Sequence, residues 1–187
     1  MERQPVDAFV VDQATRRFRN RILNQTPRIA EEPYYTVELG CRYLKGAFLP
    51  AEGVSIEQPF EDPYAPSGTA GSRFPHAFLK DLESGKRIST LDLMKKNFVL
   101  IATEDDSPWV AAAKELEFEI DTHILHQNSR PYCDFDRELS TKAKVGLAES
   151  LLVRPDGFIA WKAGSLHTGH KDMLRRVLQK LLGTPIE

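Results

Sequence analysis

Cysteine is scarce in this chain of 187 residues. Only Cys41 and Cys133 occur, and neither belongs to a Cys-x-x-Cys pair or to a zinc-ligand spacing. That argues against a dithiol redox centre and a structural zinc site, and for a reducing compartment, with a cytoplasmic location as the expectation. Long apolar runs are missing too. No stretch approaches the roughly 20 residues of a membrane span, and Met1–Asp7 has no apolar core of a secretory signal. Neither sign of charge dominates: 25 Lys+Arg face 27 Asp+Glu, a net charge of −2. No general field exists for nucleic acid or an anionic membrane, so neither is expected as a partner. What is present is ordinary for a globular protein, with 41% hydrophobic and 28% charged residues. The length suits one domain of about 100–150 residues with an extra arm, or two small domains.

Three textures follow one another. Val6, Val10, Ala14, Phe18 and Ile22 recur four apart, which predicts an amphipathic helix over Val6–Leu23 whose basic face is solvated. Thr26-Pro27 and Glu32-Pro33 end it. Tyr34–Pro50 reads extended, with Tyr35, Val37, Leu39, Tyr43, Phe48 and Leu49 as strand formers. Ala51–Pro75 carries four prolines and three glycines, so it is expected as an irregular linker or as a strap on a surface.

From His76 onward the pattern alternates between strand and helix. His76–Leu82 reads as a short strand, and Ile88–Met94 as a helical turn capped by Ser89 or Thr90. The apolar run Asn97–Thr103 suits a strand buried on both faces of a parallel sheet. Glu104-Asp105-Asp106-Ser107-Pro108 is expected to start a helix over Trp109–Leu116. A strand follows at Ile120–Leu125, then a polar loop. Glu149–Val153 and Phe158–Trp161 form a hairpin around Arg154-Pro155-Asp156-Gly157. Lys171–Leu182 closes as a helix stopped by Gly183. This order predicts an α/β, thioredoxin-like fold without the Cys-x-x-Cys pair, preceded by an N-terminal helix and an extended arm.

Four segments carry a resemblance. They are Val37-Glu38-Leu39-Gly40-Cys41-Arg42-Tyr43, Gly71-Ser72-Arg73-Phe74-Pro75-His76-Ala77-Phe78-Leu79, Arg87-Ile88-Ser89-Thr90-Leu91-Asp92-Leu93 and Leu151–Trp161. Together, with Trp109 and Ala111-Ala112-Ala113, they resemble the C-terminal part of FAD-dependent aromatic hydroxylases, the phenol and polyketide hydroxylases of the class A flavoprotein type. The resemblance implies a thioredoxin-like domain over 71–187, preceded over 1–70 by a segment like the tail of a flavin domain. Those enzymes bind FAD through Gly-x-Gly-x-x-Gly and a later Gly-Asp element, and this chain has neither. Gly68-Thr69-Ala70-Gly71 has the wrong spacing and opens no predicted helix. No cofactor is therefore expected, and only the accessory domain carries over.

The fold comparison places a candidate acid–base pair, Asp106 at the helix start and Glu149 before the hairpin, with His76 in a shared motif as a third catalytic candidate. Each has a plain alternative: Asp105 and Asp106 as helix-start acids, Glu149 as a solvated side chain and His76 as a packing residue. Arg154 and Asp156 read as turn residues. His123 and His126 fall on opposite faces of a strand, and His167 and His170 lack a third ligand, so neither pair predicts a metal. Cys133 has an acid neighbour and no clear cation, which argues against a nucleophile.

Two functions compete. One is an accessory assembly or substrate-binding module of aromatic or polyketide metabolism, forming a homo-oligomer or docking on a flavoprotein partner. The other is a cofactor-free isomerase, cyclase, dehydratase or decarboxylase acting on a phenolic small molecule, with Tyr34, Tyr35 and Tyr132 around it.

Overall fold

A computed structural model describes residues 38–51, 56–146, 149–164 and 168–183. The expected Val6–Leu23 helix and His167 lie outside the described residues. In chain order come β1 (Phe78–Asp81), β2 (Arg87–Ser89), a 3-10 turn (Thr90–Leu93), β3 (Phe98–Ala102), α1 (Pro108–Lys114), β4 (Ile120–Ile124), β5 (Tyr132–Cys133), α2 (Glu138–Ala143), β6 (Ser150–Val153), β7 (Ile159–Ala163) and α3 (His170–Leu182).

The larger sheet has the order β4-β3-β6-β7, with β3 parallel to β4 and antiparallel to β6, and β6 antiparallel to β7. Strand, helix, strand, then hairpin and final helix is the order read from the sequence. The apolar run of β3 is divided by the two-residue period of a strand. Val99 and Ile101 enter one core, while Leu100 and Ala102 enter the other. On the second side α1 and α3 cover the sheet, and Trp109 meets Trp161 edge-on at 5.0 Å. The first side is filled by Phe48, Ala70 and Phe74 of the arm and strap, Leu79 of β1, Leu93 of the turn, and Leu139 and Ala143 of α2.

Local signals hold at several ends. Ser89 caps the 3-10 turn in a reciprocal box with Asp92, Pro108 opens α1, and Gly183 ends α3 at φ +70°. The acids ahead of α1 are used otherwise than expected. None falls in its first turn, Ser107 makes no side-chain cap, and Asp105 pairs with His126 at 3.1 Å.

Two elements were not foreseen. β5 joins β1 and β2 in a small sheet of order β2-β1-β5, and α2 follows it. Over 38–50 the expected extended stretch is only a set of isolated bridges, Cys41 to Phe60, Arg42 to Ser72 and Leu49 to Trp161. The arm and the strap are both stitched onto the outer edge of β7. Leu49 N–H donates to the Ala160 carbonyl (2.7 Å), Gly71 N–H to that of Ile159 (2.8 Å) and Ile159 N–H to that of Ser72 (2.8 Å). An edge that would offer open hydrogen bonds to another chain is thereby closed.

Candidate functional site

The four segments singled out in the sequence converge. Tyr43 N–H donates to the Gly71 carbonyl at 2.9 Å, and Phe74 N–H to that of Gly157 at 2.8 Å. Buried Thr90 pins the other end: its hydroxyl donates to the Pro75 carbonyl (2.9 Å) and accepts from Ala77 N–H (3.0 Å). Residues 71–77 are thus a hub that the arm and the hairpin grip through main-chain atoms and the capped turn through the Thr90 hydroxyl and N–H.

Beneath the arm lies a polar knot. Arg42 donates to the Thr69 hydroxyl (3.0 Å) and sits 3.7 Å from the Glu61 carboxylate, with the two side chains 14% and 11% exposed. The same carboxylate accepts from Ser67 N–H and from the Ser72 hydroxyl, each at 3.2 Å. Charges this buried persist only when paired and hydrogen-bonded. Beside the arm a shallow concavity of about 340 Å³ is lined by Leu44, Lys45, Gly46, Phe48, Pro50 and Ile56.

The three catalytic candidates stand in three places. His76 is exposed ahead of β1, with Nδ1 2.9 Å from the Ser89 hydroxyl and its ring edge-on to Phe78. Asp106 is exposed in the turn before α1. Glu149 accepts from Gly146 N–H at 2.6 Å and pairs with Lys162 at 3.0 Å, which closes the loop before β6. Among the described residues no hydrogen bond or ion pair links any two of them. Burial pushes the His123 imidazole below its ordinary pKa of 6.5, so it is neutral at pH 7. Cys133 is buried within β5. Among the described residues no three His, Cys, Asp or Glu side chains could share a metal, and no helix is long and apolar enough to cross a membrane.

Glu138, at the start of α2, escaped the sequence reading. Its carboxylate accepts from Lys142 Nζ at 2.6 Å and from Phe78 N–H at 2.9 Å, while Lys142 also donates to the His76 carbonyl at 3.0 Å. The Lys142 bond first, then the Phe78 bond, hold this carboxyl below its ordinary 4.5. A depressed acid adds stability above its unfolded pKa and loses it as pH falls through the lower folded value. Glu138→Gln is therefore expected to lower the urea midpoint modestly at pH 7, with the gap to wild type closing as pH drops below about 4.5. A gap constant from pH 7 to 3 would count against this linkage.

The family model described as aromatic-ring hydroxylase, C-terminal, matches residues 67–185. The 4-methyl-5-nitrocatechol 5-monooxygenase of a Burkholderia species is 31% identical over 97% of this chain and 34% of its own length. Tetracenomycin A2 monooxygenase-dioxygenase of Streptomyces glaucescens is 32% identical over 98% of this chain and 33% of its own. Among solved structures, aklavinone-11 hydroxylase in complex with FAD and aklavinone superposes with a TM-score of 0.70 at 31% identity, covering 80% of this chain and 28% of that one. The chain spans about a third of the length of the curated relatives it matches.

Proposed function

The chain belongs to the aromatic-ring hydroxylase C-terminal family, and from that premise we propose that it is the accessory, assembly-forming part of a hydroxylase of aromatic or polyketide compounds. Hydroxylation itself belongs to a flavin-binding part of the kind its relatives contain. One observation carries this reading. The segments singled out in the sequence meet at residues 71–77 through backbone hydrogen bonds and the Thr90 hydroxyl, so they build and hold a scaffold. The acid–base candidates fit the same use, since Glu149 closes a loop and His76 leans on the capped turn. The sequence supports it independently: without a glycine-rich strand-to-helix turn there is no cradle for a pyrophosphate.

Calorimetric titration of the purified chain with FAD tests the reading. No stoichiometric uptake is expected, and tight one-to-one binding would overturn it. Asp106→Asn with Glu149→Gln, assayed on phenolic substrates, gives a second check. Turnover by the chain alone that disappears in this double variant would place catalysis here instead.

A further inference from the structure

Backbone alternation divides the arm layer into two sides. Arg42 faces Ser72 across one bridge, and both side chains enter the polar knot with Glu61. Cys41, Tyr43, Phe60 and Arg73, one residue along in each strand, face the other way. On that outer side Tyr43 meets Phe158 edge-on at 4.7 Å, and the Arg73 guanidinium lies over the same ring, 5.0 Å from its centroid. Arg154 covers Tyr43 at 4.8 Å, but its charge is matched by Asp156 at 2.6 Å.

Arg73 has no such match among the described residues. Among the described residues no carboxylate is within ion-pair distance of it. Its Nε is buried without an acceptor, and one terminal nitrogen reaches only the Glu38 carbonyl, at 3.5 Å. The guanidinium lying over Phe158 is a planar fork, the shape that takes a carboxylate through two parallel bonds. Leu39, Tyr43 and Phe60 are all exposed along the same stretch. An arginine anchor among exposed apolar side chains is the composition of an interface centre.

We propose that this outer face seats the flavin-binding part of an aromatic-ring hydroxylase, through an apolar segment that sets an aspartate or glutamate on Arg73. The proposal rests on the function inferred above. Two observations select the occupant. The chain corresponds to about a third of each relative, and in those proteins the matching third shares one polypeptide with the other two thirds, which makes that remainder the occupant of first choice. The guanidinium, unmatched among the described residues, then specifies the charge of what arrives.

The 187-residue chain is titrated calorimetrically against aklavinone-11 hydroxylase lacking the segment this chain matches, used as its FAD-loaded, yellow species. Binding is expected, at least about tenfold weaker for Arg73→Glu and less weakened for Arg73→Lys. Lys80→Glu, on the small sheet, should bind as wild type. If the shortened hydroxylase does not hold FAD, the two are fused and the temperature of flavin release is read, which Arg73→Glu should lower. Absent binding, or Arg73→Glu equal to wild type in either format, overturns the proposal. A dimer of the chain alone that Arg73→Glu abolishes does so too, by naming a second copy as the occupant. FAD uptake by the chain alone would sink the functional reading and is scored separately.

Discussion

Gly68→Ala is expected to cost at least about 4 kcal/mol of folding stability, a loss that single substitutions reach only through a severe local conflict. A Cβ built on Gly68 would lie 2.0 Å from the Ala143 carbonyl oxygen and 2.7 Å from its carbon. Those are backbone atoms at the end of α2, so no side-chain rotation relieves the clash. The φ of +66° adds the left-handed penalty of about 1–2 kcal/mol for any residue with a side chain. Either the strap lifts away, taking Ala70 and Phe74 from the core, or the last turn of α2 opens. Gly85 isolates the smaller effect: its φ is +71° but nothing lies within 4 Å of its Cβ position. Gly85→Ala should therefore cost about 1–2 kcal/mol. At about 2–4 °C per kcal/mol for a chain this size, the two melting shifts differ severalfold. Equal shifts would mean that the strap does not press on α2.

Why the strap matters was hidden in the sequence, while the central sheet was plain. The run Phe98–Ala102 is apolar because alternate residues serve two cores, and a run has the same appearance whichever core each member enters. Asp156-Gly157 announced the hairpin, and Ser89 or Thr90 marked the start of the capped turn, because these signals act over two or three residues. β5 has only two residues and exists because β1 offers Lys80 and Asp81 as partners. The arm read as strand, yet its partner is the proline-bearing strap. Pro59 can accept from Arg42 N–H through its carbonyl but has no N–H to return, so the pairing stays at single bridges.

The candidate site divides in the same way. Placing Asp106 near Glu149 followed from element order alone. Element order does not show that Glu149 is already engaged by Gly146 and Lys162. Arg73 lies within Gly71–Leu79 without standing out there, since its distinction depends on Phe158 and Tyr43, far off in sequence. A stacked arginine becomes recognisable only once both rings are placed.

The helix α2 depends on a residue outside it, and Asp134→Ala should show how strongly. Six residues are far too few for a helix to persist by itself. Its N-cap position, Arg137, has φ +55° and contributes no side-chain bond. Asp134, 1% exposed, supplies the cap from upstream. One carboxylate oxygen accepts from Leu139 N–H at 3.1 Å, and the other from Ser140 N–H at 2.9 Å and its hydroxyl at 3.0 Å. Alanine would leave two first-turn N–H groups without a partner, at about 1–3 kcal/mol each if they stay buried, for a total near 3 kcal/mol. Asn keeps the shape but turns an amide donor toward one set of donors, so Asp134→Asn should lose about half as much. Hydrogen exchange should quicken first at 138–143. Because Gly68→Ala strikes the other end of the same helix, the double variant should lose less than the sum of the two. Additive losses would show that Asp134 and Gly68 act on separate parts of the fold.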